Sequence, residues 1–291
     1  MKELYISDLD GTLLDKNSQL SSRSEILLKT MLKSGLLFTV ASLRSFESIK
    51  AIFKDIPLQF PVIELNGAFI TDFESGRKLV INAIDPNIIT SLYQIILSKG
   101  LAPAVMSYDG VDDHLSFTDE MNQGLTWYWE NRKSANDKRL RKITHIDLIK
   151  KEAWICITII EERDYCTDCK NKLESEYGED INVNILDSLD TPGLVWMSVT
   201  AKSASKYNAI QTLKRDYNFD YHKVICFGDQ PIDIPMFQAA DFSVAVSNAD
   251  PEVKSIADLV IGDHQSDAVT EWIFQHFTKS SISNKNNQSS I

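Results

Sequence analysis

Short apolar runs that alternate with helical segments constrain this chain more than any other feature. ELYIS at residues 3–7 reads as a buried strand, and SSRSEILLKTMLKS at 21–34 as a helix opened by serine and closed by Gly35. LLFTVAS at 36–42 and PVIEL at 61–65 read as two further strands. Strands separated by helices need crossover connections. The spacing therefore predicts an α/β fold with a Rossmann-like parallel sheet and helices on both faces.

The pattern changes after about residue 80. INAIDPNIITSLYQIILSKG at 81–100 reads as a linker and an amphipathic helix, WICITII at 154–160 as a strand, and DYCTDCKNKLESEYG at 164–178 as another helix. The earlier style returns near residue 195, with a helix over 204–216, the strand KVICFG, a helix around IDIPMFQAA and the strand FSVAV. The expected organisation is a core from 1–82 and 190–278 interrupted by an inserted α/β domain over 83–189. The polar segment KSSISNKNNQSSI at 279–291 is expected to be disordered.

Composition excludes several classes of function. A net charge of -11 gives no basic surface for nucleic acid or an anionic membrane. The chain has no apolar run of bilayer length, and acidic residues interrupt its first apolar stretch, so the expected location is the cytoplasm. The four cysteines contain one C-x-x-C pair, Cys166 and Cys169, and neither a second pair nor clustered histidines accompany it. Reduced thiols are expected rather than a zinc site.

The chemistry gathers at two strand ends. YISDLDGTLLD at 5–15 places Asp8 and Asp10 one residue apart at the carboxyl end of the first strand, where ligands bind in open α/β sheets. Gly11 and Thr12 supply a tight turn and a hydroxyl. Like charges this close raise one another's pKa unless a cation lies between them. GDQPID at 228–233 follows a second buried strand with Asp229 and Asp233. Together the two clusters supply the oxygen ligands of an octahedral magnesium ion, Mg2+, that also takes water and a phosphate oxygen.

The run of motifs DLDGT (8–12), VASLRS (40–45), ELNGA (64–68), SASK (203–206), GDQPID (228–233) and VSNAD (246–250) resembles the haloacid dehalogenase superfamily of phosphohydrolases. Within it the chain is similar to the Cof-type members of subfamily IIB, which carry a large α/β cap. The resemblance covers nearly the whole chain, in the family's motif order.

It implies a phosphatase acting on a small phosphorylated metabolite, a sugar phosphate or nucleotide-related compound. Asp8 would be the nucleophile, Asp10 the acid and base, and Lys206 the neutralising cation. Thr12 would orient Asp10 or the phosphate, and Ser42 would bind a phosphoryl oxygen. Asp8, Asp229 and the Asp10 carbonyl would hold Mg2+, with Asp233 bound through water or steadying the site. Arg44, Asn66, Gly67 and Asn248 would face the cap, which would set substrate choice. A phosphomutase, or a metabolite-binding protein with weakened catalysis, uses the same residues. Two positions depart from the family: Ile232 stands where an asparagine is usual, and Leu43 where a glycine is usual.

Overall fold

The computed structural model describes residues 3–188, 191–216 and 223–288, without the side chains of 280–288. The chain opens with β1 (Glu3–Ser7), α1 (Ser22–Lys33), β2 (Leu37–Val40) and α2 (Phe46–Ile52). Three short strands follow: β3 (Val62–Glu64), β4 (Phe69–Thr71) and β5 (Lys78–Ile81). Next come α3 (Ile89–Ser98), β6 (Ala104–Tyr108), β7 (Asp113–Phe117), α4 (Gln123–Ser134) and β8 (Leu140–Lys142). They are followed by β9 (Ala153–Glu162), α5 (Arg163–Tyr177), β10 (Ile181–Asp187) and β11 (Leu194–Ala201). The last elements are α6 (Lys206–Asp216), β12 (Lys223–Gly228), α7 (Ile234–Ala239), β13 (Phe242–Ala245), α8 (Pro251–Ile256), β14 (Leu259–Val260) and α9 (Ala268–Gln288).

Two compact units result. One contains the residues up to Val80 and those from Ser205 onward, and the other is Ile81–Ala204. The first unit is organised by a five-stranded sheet in the order β14-β13-β12-β1-β2, parallel throughout. β1 lies inside it, with Ile6 opposite Cys226 of β12 and Thr39 of β2. A strand covered on both faces must be apolar along its length, and Leu4, Tyr5 and Ile6 are fully buried.

Local chemistry sets the first crossover. The Ser21 hydroxyl accepts from the Ser24 amide to cap α1, and Gly35 leaves the helix at φ 91. Leu28, Met31 and Leu32, at helical spacing, turn into the core. Each contributes about 1.5–3 kcal/mol by burial.

The second unit has a six-stranded sheet in the order β10-β11-β9-β6-β7-β8. Its pairs are antiparallel except β7 with β8. β11 pairs with both β9 and β10, so this unit runs on to Ala204 where the sequence places its end at 189. An apolar strand in the run LVWMSVTA looks alike in either sheet, and only its partners decide. The aromatic run of α4 packs within this unit. Tyr128 and Trp127 meet Trp196 edge-on at 4.8 and 6.3 Å between ring centroids, and Trp129 meets Phe117 at 5.2 Å.

α9 continues to Gln288, through most of the segment whose composition predicts disorder; residues 289–291 lie outside those described. Cys166 and Cys169 sit buried one turn apart on α5, where burial pushes their thiols up to about 12 and about 11. All four cysteines are free. Among the described residues, no helix is long and apolar enough to cross a membrane.

Candidate active site

The site forms where β1 and β12 end side by side. The Asp8 amide donates to the Phe227 carbonyl at 2.9 Å, which carries the strand pairing one residue past β1 and fixes where the Asp8 side chain begins. The chain then turns sharply, with Gly11 at φ 75. Glycine is required there twice over. Its backbone is left-handed, and a β-carbon would run into the Asp229 carboxylate. Gly11→Ala is expected to cost about 1–2 kcal/mol from backbone strain alone. Denaturant unfolding in chelator checks this, and an unshifted midpoint would mean that the turn tolerates a side chain.

Lys206, the first residue of α6, is 1% exposed and reaches the strand ends. Its ammonium donates to Asp8 Oδ1 at 2.7 Å and to Asp233 Oδ1 at 2.6 Å. The second oxygen of Asp233 accepts from the amides of Asp229 at 2.9 Å and Gln230 at 3.1 Å, closing the loop after β12 into a fixed turn. Asp233 is thus a brace as well as a charge. The Thr12 hydroxyl donates to Asp229 Oδ1 at 2.7 Å, so in this structure Thr12 holds Asp229, where the resemblance implies that it orients Asp10 or the phosphate.

Asp8, Asp229 and Asp233 are all buried, and each presents an oxygen within 4.8 Å of the others. One ammonium cannot offset three carboxylates. Burial raises Asp8 well above the ordinary carboxylate range, and Asp233 and Asp229 add to the rise while Lys206 opposes it. Burial also raises Asp229 against the pull of the Thr12 hydroxyl. Burial works against the Lys206 ammonium, but the Asp233 and Asp8 carboxylates outweigh it and hold its pKa above the ordinary lysine range. The remaining negative charge and the all-oxygen donor set suit a hard divalent cation.

Asp10 lies outside this cluster. Its half-exposed carboxylate forms a two-point ion pair with Arg44, at 2.6 Å from Nε and 2.6 Å from Nη2, and accepts from the Ser18 hydroxyl at 3.1 Å. Sequence spacing places Asp10 beside Asp8, but β1 ends at Ser7, and beyond it residues i and i+2 no longer share a face. Arg44 also donates to the Ser48 hydroxyl at 3.0 Å.

The remaining predicted residues line the same end of the sheet. Ser42 is buried, its amide on the Ile63 carbonyl at 3.0 Å and its own carbonyl accepting from Asn66 N at 2.9 Å. Asn66 is left-handed at φ 57, and Gly67, at φ 91, lies against the Ser205 backbone where a β-carbon has no room. Asn248 donates to the Gly11 carbonyl at 2.8 Å and accepts from the His264 amide at 3.0 Å, which buttresses the turn after β1. Leu43 is absent from the positive-φ residues, so this turn makes no demand that only glycine meets. Ile232 is half-buried in the short turn Pro231–Asp233.

Sequence reasoning overlooks Glu64. It is fully buried and accepts from the Phe46 amide, the Thr71 hydroxyl and the Lys78 ammonium, at 2.5, 2.5 and 2.6 Å. Glu64 thereby ties the start of α2, just after Ser42 and Arg44, to the strand that leads into Asn66. A glutamate inside the apolar run PVIEL is the visible signal, though nothing in the sequence names its partners.

A parallel sheet with a buried aspartate–lysine cluster at its strand ends defines an α/β protein whose ligand site lies at the carboxyl end of its strands. The model for haloacid dehalogenase-like hydrolases matches residues 5–273, and the chain belongs to that family. It is 26% identical over 270 residues to a putative phosphatase of Mycoplasma genitalium, covering 88% of this chain and 91% of that one. It is 24% identical over 289 residues to the 5-amino-6-(5-phospho-D-ribitylamino)uracil phosphatase of Bacillus subtilis, covering 92% and 96%. A crystal structure from Thermotoga maritima superposes with a TM-score of 0.77 at 22% identity, covering 95% of this chain and 97% of that one.

Proposed function

We propose that the protein is a magnesium-dependent phosphatase that hydrolyses a small phosphorylated metabolite through an aspartyl-phosphate. The observation that carries this reading is the Lys206 ammonium shared between Asp8 and Asp233 beside Asp229, a buried cation and carboxylates at one strand end. The relative named for a phosphorylated ribitylamino compound supports a small polyol ester as substrate.

Asp8 attacks phosphorus through a carboxylate oxygen; that P–O bond forms as the bond to the leaving alcohol breaks. Lys206 offsets charge on the phosphoryl group and on Asp8. Asp10 gives the leaving oxygen its proton, then takes a proton from the water that cleaves the aspartyl-phosphate. Arg44 holds the Asp10 carboxylate in the present arrangement, so Asp10 must turn from Arg44 to act. Ser42 contributes a hydroxyl to the phosphoryl oxygens. Asp8, Asp229 and the Asp10 carbonyl would hold Mg2+, with Asp233 bracing the loop. When bound, the ion supplies positive charge to the phosphoryl oxygens in the transition state.

Purified protein is expected to release phosphate from p-nitrophenyl phosphate or acetyl phosphate only with magnesium present. Chelator should remove the activity and added magnesium restore it. Full activity in chelator would end the metal assignment. A protein inert to a broad ester panel that binds one metabolite tightly would replace the phosphatase reading.

A further inference from the structure

Three consecutive residues beside this site hold a backbone conformation that side chains rarely adopt. Leu65 and Asn66 are left-handed at φ 49 and φ 57, and Gly67 follows at φ 91. A residue as bulky as leucine stays there only where its surroundings force it, and such strain gathers at functional sites. The turn grips the segment that carries Arg44. The Leu65 amide donates to the Arg44 carbonyl at 3.2 Å, and the Asn66 amide to the Ser42 carbonyl at 2.9 Å.

Glu64 stands immediately before this turn, and its carboxylate is a buried meeting point. It collects the Phe46 amide at the start of α2, the Thr71 hydroxyl of β4 and the Lys78 ammonium of β5. The Lys78 side chain is 5% exposed and lies over the Phe69 and Phe46 rings, at 4.4 and 5.3 Å from their centroids. A buried carboxylate with three donors, one of them fixed between aromatic rings, has little freedom to move. Arg44 is therefore clamped on both sides, through its own carbonyl to Leu65 and through the Phe46 amide to Glu64. Its guanidinium carries the two-point pair with Asp10.

Resting on the phosphatase reading above, we propose that Glu64 is a positioning residue for Asp10. Glu64 fixes the backbone of Arg44, and the Arg44 guanidinium keeps the half-exposed Asp10 carboxylate from wandering into solvent between turnovers. Glu64 itself touches no substrate. An acid and base that is not held in place acts in fewer encounters, so the loss falls on the rate.

The test reads kcat/KM for p-nitrophenyl phosphate with magnesium in a double-mutant cycle of Glu64→Gln and Arg44→Met. An amide keeps the shape but cannot accept from all three donors, and Glu64→Gln alone is expected to lower kcat/KM by about tenfold or more. In the Arg44→Met background the same change should cost less than about twofold, because the residue it acts through is gone. A purely structural role would lower the active fraction alike in both backgrounds. Equal losses therefore overturn the proposal, as does a Glu64→Gln rate equal to or above wild type. Hydrogen exchange gives a reading independent of catalysis. Glu64→Gln should speed exchange of the Leu65 and Asn66 amides by about tenfold while the Tyr5 and Ile6 amides of β1 keep their rates. Uniform acceleration, or none, overturns the proposal. If no ester is hydrolysed, the phosphatase reading falls by itself, and exchange alone decides whether Glu64 holds the Arg44 segment. Should Glu64→Gln not fold, Glu64→Met combined with Lys78→Met strands no charge and takes its place in both measurements, with the same results expected.

Discussion

Asp8→Asn is expected to lower phosphate release from p-nitrophenyl phosphate and acetyl phosphate by about a thousandfold or more, because an amide cannot form the acyl phosphate. The substitution conserves shape, and Lys206 keeps its 2.6 Å bond to Asp233. It also removes one of three crowded carboxylates, so the unfolding midpoint should hold or rise. Activity measured beside thermal unfolding separates lost chemistry from lost structure. Turnover within a few-fold of wild type would exclude Asp8 as the nucleophile.

Lys206→Met carries the second large effect, and it reaches stability as well as rate. The lysine side chain is wholly buried between Asp8 and Asp233. Removing it strands two buried carboxylates without their cation, which costs about 3–5 kcal/mol for a pair broken from one side. Phosphate release should vanish as well. Denaturant titration in chelator measures the first loss, and magnesium should return part of it if the ion binds the folded state alone. A stability change below about 1 kcal/mol would show that the carboxylates do not depend on Lys206.

Much of this site can be read from the sequence because strand ends are legible. An apolar run that stops at Asp8, and another that stops before Asp229, announce where a parallel sheet presents its ligand-binding edge. Side-chain pairings beyond the strands are not legible in that way. The Arg44–Asp10 ion pair joins two loops 34 residues apart, and the Thr12–Asp229 bond spans 217. Neither follows from local periodicity. The boundary expected at residue 189 falls short of Ala204 for a related reason: burial shapes the composition of β11, whereas hydrogen-bonded neighbours choose its sheet. Glu64 shows the limit most clearly, since a buried carboxylate is recognisable only once its three donors are in place.

The position of β1 between β2 and β12 bears on how the molecule is made. β2 follows β1 by a short crossover, but β12 begins at Lys223, after the whole of the second unit has been synthesised. Until then the first strand of the nascent chain has one neighbour, and Asp8 has neither its lysine nor the opposing loop. Such distant pairing closes late and slowly, while Ile81–Ala204 holds a sheet of its own that needs nothing downstream. The ribosome therefore delivers a finished middle before it can deliver a finished core. A message truncated anywhere before Lys206 yields a chain that lacks the cation for its carboxylates, so the strand-end cluster cannot assemble until translation has passed Asp233.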